Sequence, residues 1–121
     1  MPERIVPMIH VPDVQAAVEW YESIGFVLRG TAKEDHGEFT WASLLLGGSE
    51  IMLNCGGRAS NAHRREFDLY IHVDDVDALR ARLDSGVKVV EDLHETFYGM
   101  REFIIRDLNG FWITFGAPAR T

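Results

Sequence analysis

Hydrophobic and polar residues change their spacing along this chain in an order that occurs twice. Residues 4–11 and 67–73 alternate, or run apolar and β-branched, as a half-buried strand does when every second side chain faces a core. An aspartate follows each, Asp13 and Asp75, and the apolar spacing then lengthens to three and four. Val14, Ala17, Val18, Tyr21 and Ile24 form one stripe, and Val76, Leu79 and Leu83 the other. Such stripes predict amphipathic helices, with the two carboxylates as N-caps accepting from the first free helical N–H groups. Gly25 and Gly86 are each suited to the left-handed position that closes a helix. Three further strands are expected after each helix, near 26–31, 38–46 and 50–54, then near 87–91, 100–107 and 111–115. Residues 56–65, rich in Gly, Ser, Asn and Arg, read as a linker. The pattern predicts an α+β chain of two tandem βαβββ modules, 1–60 and 61–121, within a single domain.

The two halves also match in sequence. Val11-Pro-Asp13-Val14-Gln-Ala16 and Val73-Asp-Asp75-Val76-Asp-Ala78 share four of six residues at an offset of 62. Gly48 and Ile51 match Gly110 and Ile113 at that same offset, and Gly25 matches Gly86 at 61. A register held across most of a half-chain indicates an internal duplication.

Composition narrows the function classes. The 121 residues, 46% hydrophobic and 26% charged, suit an ordinary globular domain. The net charge of −7 and the lack of clustered Lys and Arg argue against nucleic acid, since the short basic run Arg64-Arg65 leads into Glu66 and Asp68. No apolar run reaches the roughly 20 residues that span a bilayer, and the N-terminus lacks a secretory pattern. With Cys55 as its single cysteine the chain makes no internal disulfide, so a reducing, cytoplasmic location is expected.

The layout, with Val11-Pro-Asp13-Val14, Trp20-Tyr21, Ile24-Gly25-Phe26 and the segment from Tyr98 through Asp107-Leu-Asn-Gly110 to Phe115, resembles the glyoxalase / bleomycin-resistance / extradiol-dioxygenase superfamily, the vicinal-oxygen-chelate fold. The last segment looks like the family's terminal hairpin, with Leu108 in place of the usual proline and Asn109-Gly110 supplying positive-φ turn chemistry. The resemblance implies curved mixed sheets around a cleft, and a two-fold homodimer with isologous contacts. In metal-using members four ligands come from the first and last strand of each module. Those positions fall here on Val6, Met52, Asp68 and Thr114. One isopropyl, one thioether, one carboxylate and one hydroxyl do not make a cage for a divalent ion, so no metal or other cofactor is expected. The non-metal, bleomycin-resistance-like branch becomes the nearer relative.

Strand alternation then selects the candidate site. If Asp68 faces the cleft, so do Tyr70 and His72, while Leu69, Ile71 and Val73 face the core. Likewise Val6, Met8 and His10 face the cleft against Ile5, Ile9 and Val11 in the core. Met52, Asn54, Trp112 and Thr114 join the cleft, whereas the facing of Trp41 and Phe103 is open. Met8, Met52, Asn54, Asp68, Tyr70, Trp112 and Thr114 are thus the candidate ligand-binding residues, an apolar surface with a few placed polar atoms. Asp68 needs a partner, whether a cationic ligand, Arg101 or solvent. His10 and His72 each lie four residues, about 13 Å of strand, beyond the former ligand positions and read as strand-end residues. His36, His63 and His94 fall in predicted loops, and Glu102 and Arg106 read as a cross-strand pair. A metal-independent protein binding an aromatic or cationic small molecule, and sequestering it, is the expected function. The alternatives are a glyoxalase-like lyase or isomerase, using a non-standard metal site or Asp68 as general base, and an interaction module whose cleft is an interface.

Overall fold

A computed structural model describes residues 4–35, 37–59 and 68–120. His36, His63 and most of the expected linker lie outside those residues. Two helices and eight strands follow one another in the expected order. The first compact unit extends to Ala59 and the second begins at Ser60. Module one runs β1 (Met8–His10), α1 (Val14–Ser23), β2 (Val27–Lys33), β3 (Phe39–Leu46) and β4 (Ser49–Asn54). Module two runs β5 (Asp68–His72), α2 (Val76–Arg82), β6 (Lys88–Glu95), β7 (Met100–Arg106) and β8 (Trp112–Pro118). Each makes a mixed four-stranded sheet, ordered β1-β4-β3-β2 and β5-β8-β7-β6, in which only the first pair is parallel.

The duplication is written into the strand register. Met8 pairs with Met52 and His10 with Asn54, while 62 residues on Tyr70 pairs with Thr114 and His72 with Gly116. The antiparallel neighbours shift by one: Trp41 lies opposite Asn54, and Glu102 opposite Gly116, an offset of 61. Trp41 and Glu102 therefore hold equivalent places.

Both caps form as the sequence predicts. Asp13 and Asp75 are extended, and each Oδ1 accepts from the backbone N–H three residues on, at 3.0 Å. The first helix closes on Gly25 at φ +112°. Phe26 N–H donates to Tyr21 O and Gly25 N–H to Glu22 O, with the Tyr21 and Phe26 rings edge to face at 5.1 Å, which together make a Schellman motif. The second helix ends differently. Leu83 is already extended (φ −67°, ψ 140°), the chain turns between Asp84 and Val87, and Gly86 is not left-handed. The expected glycine closure of that helix is therefore corrected: an extended cap ends it three residues earlier.

Two further expectations change. The first strand begins at Met8, and Ile5, expected in the core, is 96% exposed. Strand β6 runs on to Glu95, past the expected end at 91 and taking in His94 that was expected in a loop, because it pairs with β7. Its outer half is a charged edge without the apolar alternation of a buried strand. In the terminal hairpin the positive φ falls on Gly110 alone, at +85°. Asp107 Oδ1 braces that turn by accepting from the N–H groups of Asn109 (2.8 Å) and Phe111 (2.9 Å). The apolar cores are local: Val11, Tyr21, Leu44 and Leu53 in module one, Phe103, Ile105, Ile113 and Phe115 in module two. Phe103, whose facing was open, stacks on Phe115 at 5.1 Å.

Candidate functional site

Alternation gives each sheet an apolar face and a face that carries the polar and aromatic candidates. In module two the strand ladder places Asp68, Tyr70 and His72 of β5 beside Trp112, Thr114 and Gly116 of β8, with Glu102, Ile104 and Arg106 of β7 next in line. In module one it places Met8, Met52 and Asn54 together, with Trp41 beside Asn54 and Glu50 nearby on β4.

Asp68 has a partner within its own module: Thr114 Oγ1 donates to both of its carboxylate oxygens at 3.2 Å. Thr114 is 2% exposed, which leaves Asp68 the more accessible of the two. Arg101, considered as the partner, instead grips Asp77 through Nε and Nη2 at 2.9–3.1 Å. Trp112 is half-buried, with the Arg106 guanidinium 5.2 Å from its ring centre. In module one Asn54 Nδ2 donates to the Met8 sulfur at 3.5 Å and its Oδ1 accepts from Cys55 N–H at 2.9 Å. His10 Nδ1 lies 3.2 Å from the Cys55 carbonyl, and the His72 ring lies 4.9 Å from that of Tyr70.

Two buried carboxylates on these faces were missed as site groups. Glu102 does not pair with Arg106, which donates to Gly110 O at 2.8 Å. Instead Tyr70 Oη donates to Glu102 Oε2 at 2.6 Å, and Tyr98 Oη reaches both of its oxygens at 2.8 and 2.9 Å. Burial, then the hydrogen bond and charge of Glu102, push the Tyr70 phenol well above its ordinary range. Gly116 makes room for this arrangement, because a Cβ there would sit 2.8 Å from Tyr70 Cζ and collide with its hydroxyl. In module one Glu50 is bound by Arg4 Nη2 and Arg29 Nη1, each at 2.8 Å, and by the Ser43 hydroxyl. The one sequence signal for Glu102 was its spacing, four positions beyond Tyr98, because the facing of its strand was open. For Glu50 no local signal existed.

The residues present do not suit a metal of the family's usual kind. Module one contributes Val6 and Met52 to the four positions, and in module two the single carboxylate is already engaged by Thr114. Among the described residues no three His, Cys, Asp or Glu side chains gather as a metal site, and no helix is long and apolar enough to cross a membrane.

Fold and sequence together define the class. The Glyoxalase/Bleomycin resistance protein/Dioxygenase superfamily model matches residues 5–115, and the chain belongs to that superfamily. An uncharacterised protein of Mycobacterium bovis is 28% identical over 125 aligned positions, covering 94% of this chain and 82% of that protein. TnmS3, an antibiotic binding protein from Streptomyces sp. CB03234, is 27% identical with a TM-score of 0.66, covering 98% of this chain and 99% of its own. TioX from Micromonospora sp. ML1 shares the fold at a TM-score of 0.73 and 24% identity, covering 98% of each chain.

Proposed function

We propose that this chain is a metal-independent small-molecule binding protein that sequesters an aromatic or cationic compound. Tyr70, Trp112 and Asp68, the last held by Thr114, form its contact surface in module two, and Met8, Met52 and Asn54 form that of module one. The observation that carries this reading is the polar face of the second sheet. There, a 41% exposed tyrosine and a half-buried tryptophan on adjoining strands accompany two carboxylates, Asp68 on β5 and Glu102 on β7. Ring faces supply apolar contact area, and the carboxylates fix orientation and favour positive charge. Likeness to an antibiotic binding protein over nearly the full length supports the same reading. The reading includes a two-fold homodimer and no nucleic-acid partner.

Chelator-treated protein screened by thermal shift and calorimetry against aromatic amines and neutral aromatics should bind at least one compound without added metal. Trp112→Ala should weaken that binding by about tenfold, the loss of one well-placed aromatic contact. Sedimentation of the same sample should give twice the 13.7 kDa chain mass. Binding that requires one metal per chain, or turnover abolished by Asp68→Asn, would overturn the proposal in favour of a lyase or isomerase.

A further inference from the structure

We propose that the Tyr70–Glu102–Tyr98 cluster is the seat for an organic ammonium group, carried by the aromatic ligand of the function proposed above, on which this inference rests. Glu102 is 3% exposed, yet its hydrogen-bond partners among the described residues are two neutral phenols. Burying a carboxylate is expensive unless a positive charge accompanies it, and neutral donors offset only part of that cost. The basic groups nearest on the strand ladder are committed elsewhere. Arg101 binds Asp77, Arg106 binds the Gly110 carbonyl and faces Trp112, and His94, opposite Glu102 on β6, binds the Asp92 carbonyl.

Module one shows what the same fold does when such a charge is neutralised internally. Its buried carboxylate, Glu50, has two arginines at 2.8 Å. The second module has no counterpart to them around Glu102 among its described residues. We take the ligand to supply the cation that would complete the cluster.

Chemistry at the surface of the cluster fits an ammonium. Each phenol spends its proton on Glu102 and keeps oxygen lone pairs that accept from a ligand N–H, and donation to a carboxylate makes those oxygens better acceptors. Both tyrosines reach the surface, Tyr70 at 41% and Tyr98 at 55% exposed, so the ammonium needs no direct access to Glu102. The Tyr70 ring, with the His72 ring 4.9 Å away, and Phe97, fully exposed and edge-on to Tyr98 at 5.1 Å, offer π faces to the cation and to an attached aromatic body.

Calorimetry with benzylamine, benzyl alcohol and benzoate tests this directly. Wild-type protein should bind benzylamine, charged at neutral pH, about tenfold more tightly than the isosteric alcohol, and benzoate more weakly than either. Glu102→Gln should erase the preference, so that amine and alcohol bind that variant within about twofold of each other. Tyr98→Phe, at an exposed position that does not endanger folding, should reduce the preference while keeping the ring. Equal binding of amine and alcohol, or a preference that survives in both variants, would overturn the ammonium seat. If the alcohol still binds and Trp112→Ala removes it, the proposed function stands and only this assignment falls. Failure of all three probes and of the wider aromatic panel would overturn both.

Discussion

Glu50 shows how one residue can tie distant parts of a module together. Its carboxyl joins Arg4, ahead of the first strand, to Arg29 on β2 and Ser43 on β3. The Ser43 hydrogen bond is the largest of the influences that, with both arginines, hold its pKa below the ordinary 4.5 despite the opposing effect of burial. A folded-state pKa below the unfolded one means that the unfolded chain binds the proton more readily. The stability so gained is present above about pH 4.5 and is lost as pH falls through the folded-state value. Urea unfolding of Glu50→Gln between about pH 3 and pH 6 should therefore show a shallower acid decline than the wild type. Asp77 and Asp92, held down by Arg101 and Arg80, keep some decline in that variant. An unchanged slope would mean that the clamp contributes nothing to folding. Neither Glu50 nor Glu102 stands out in the sequence as a buried group. The two arginines lie 21 and 46 residues from Glu50 and Tyr70 lies 32 from Glu102, and a glutamate in a strand reads locally as solvated. Asp68, Tyr70 and Trp112 were legible because period-two alternation fixes a face once a single position is known.

At the level of elements, the parallel pairing of the first and last strand in each module is the contact that closes the sheet. In module one Gly57 presses against this pair. Its N–H donates to Val11 O at 3.2 Å, and a Cβ at this position would collide with the His10 carbonyl, which is backbone and cannot swing aside. Gly57→Ala should cost about 2 kcal/mol, seen as a lower urea midpoint at unchanged m-value. A neutral effect would show that β1 can move away freely. The sequence disclosed the order of elements, both aspartate caps and the Gly25 closure, since each is set by residues within one turn of it. It did not disclose the ends of α2 or β6. Where the second helix stops depends on Leu83 turning extended ahead of the Asp84–Val87 turn, and the outer half of β6 owes its strand character to pairing with β7.

For the whole molecule, the 62-residue register and the family match describe a duplicated chain whose copies keep the same ladder while exchanging what stands on it. Trp41 stands where Glu102 stands, and Met8 where Tyr70 stands. Conserved backbone pairing made the fold readable, and free exchange of face residues made the ligand unreadable. The internal clamp on Glu50, which has no counterpart around Glu102 among the described residues, also bears on motion. In hydrogen exchange without ligand, backbone amides of β7 around Glu102 should open more often than those of β3 around Ser43, and benzylamine should slow the former while leaving the latter as they were. Equal protection in the two copies, unmoved by the amine, would contradict this. If the exchange follows the expected pattern, one half of the chain is rigid from the moment it folds, and the other finishes settling only when its guest arrives.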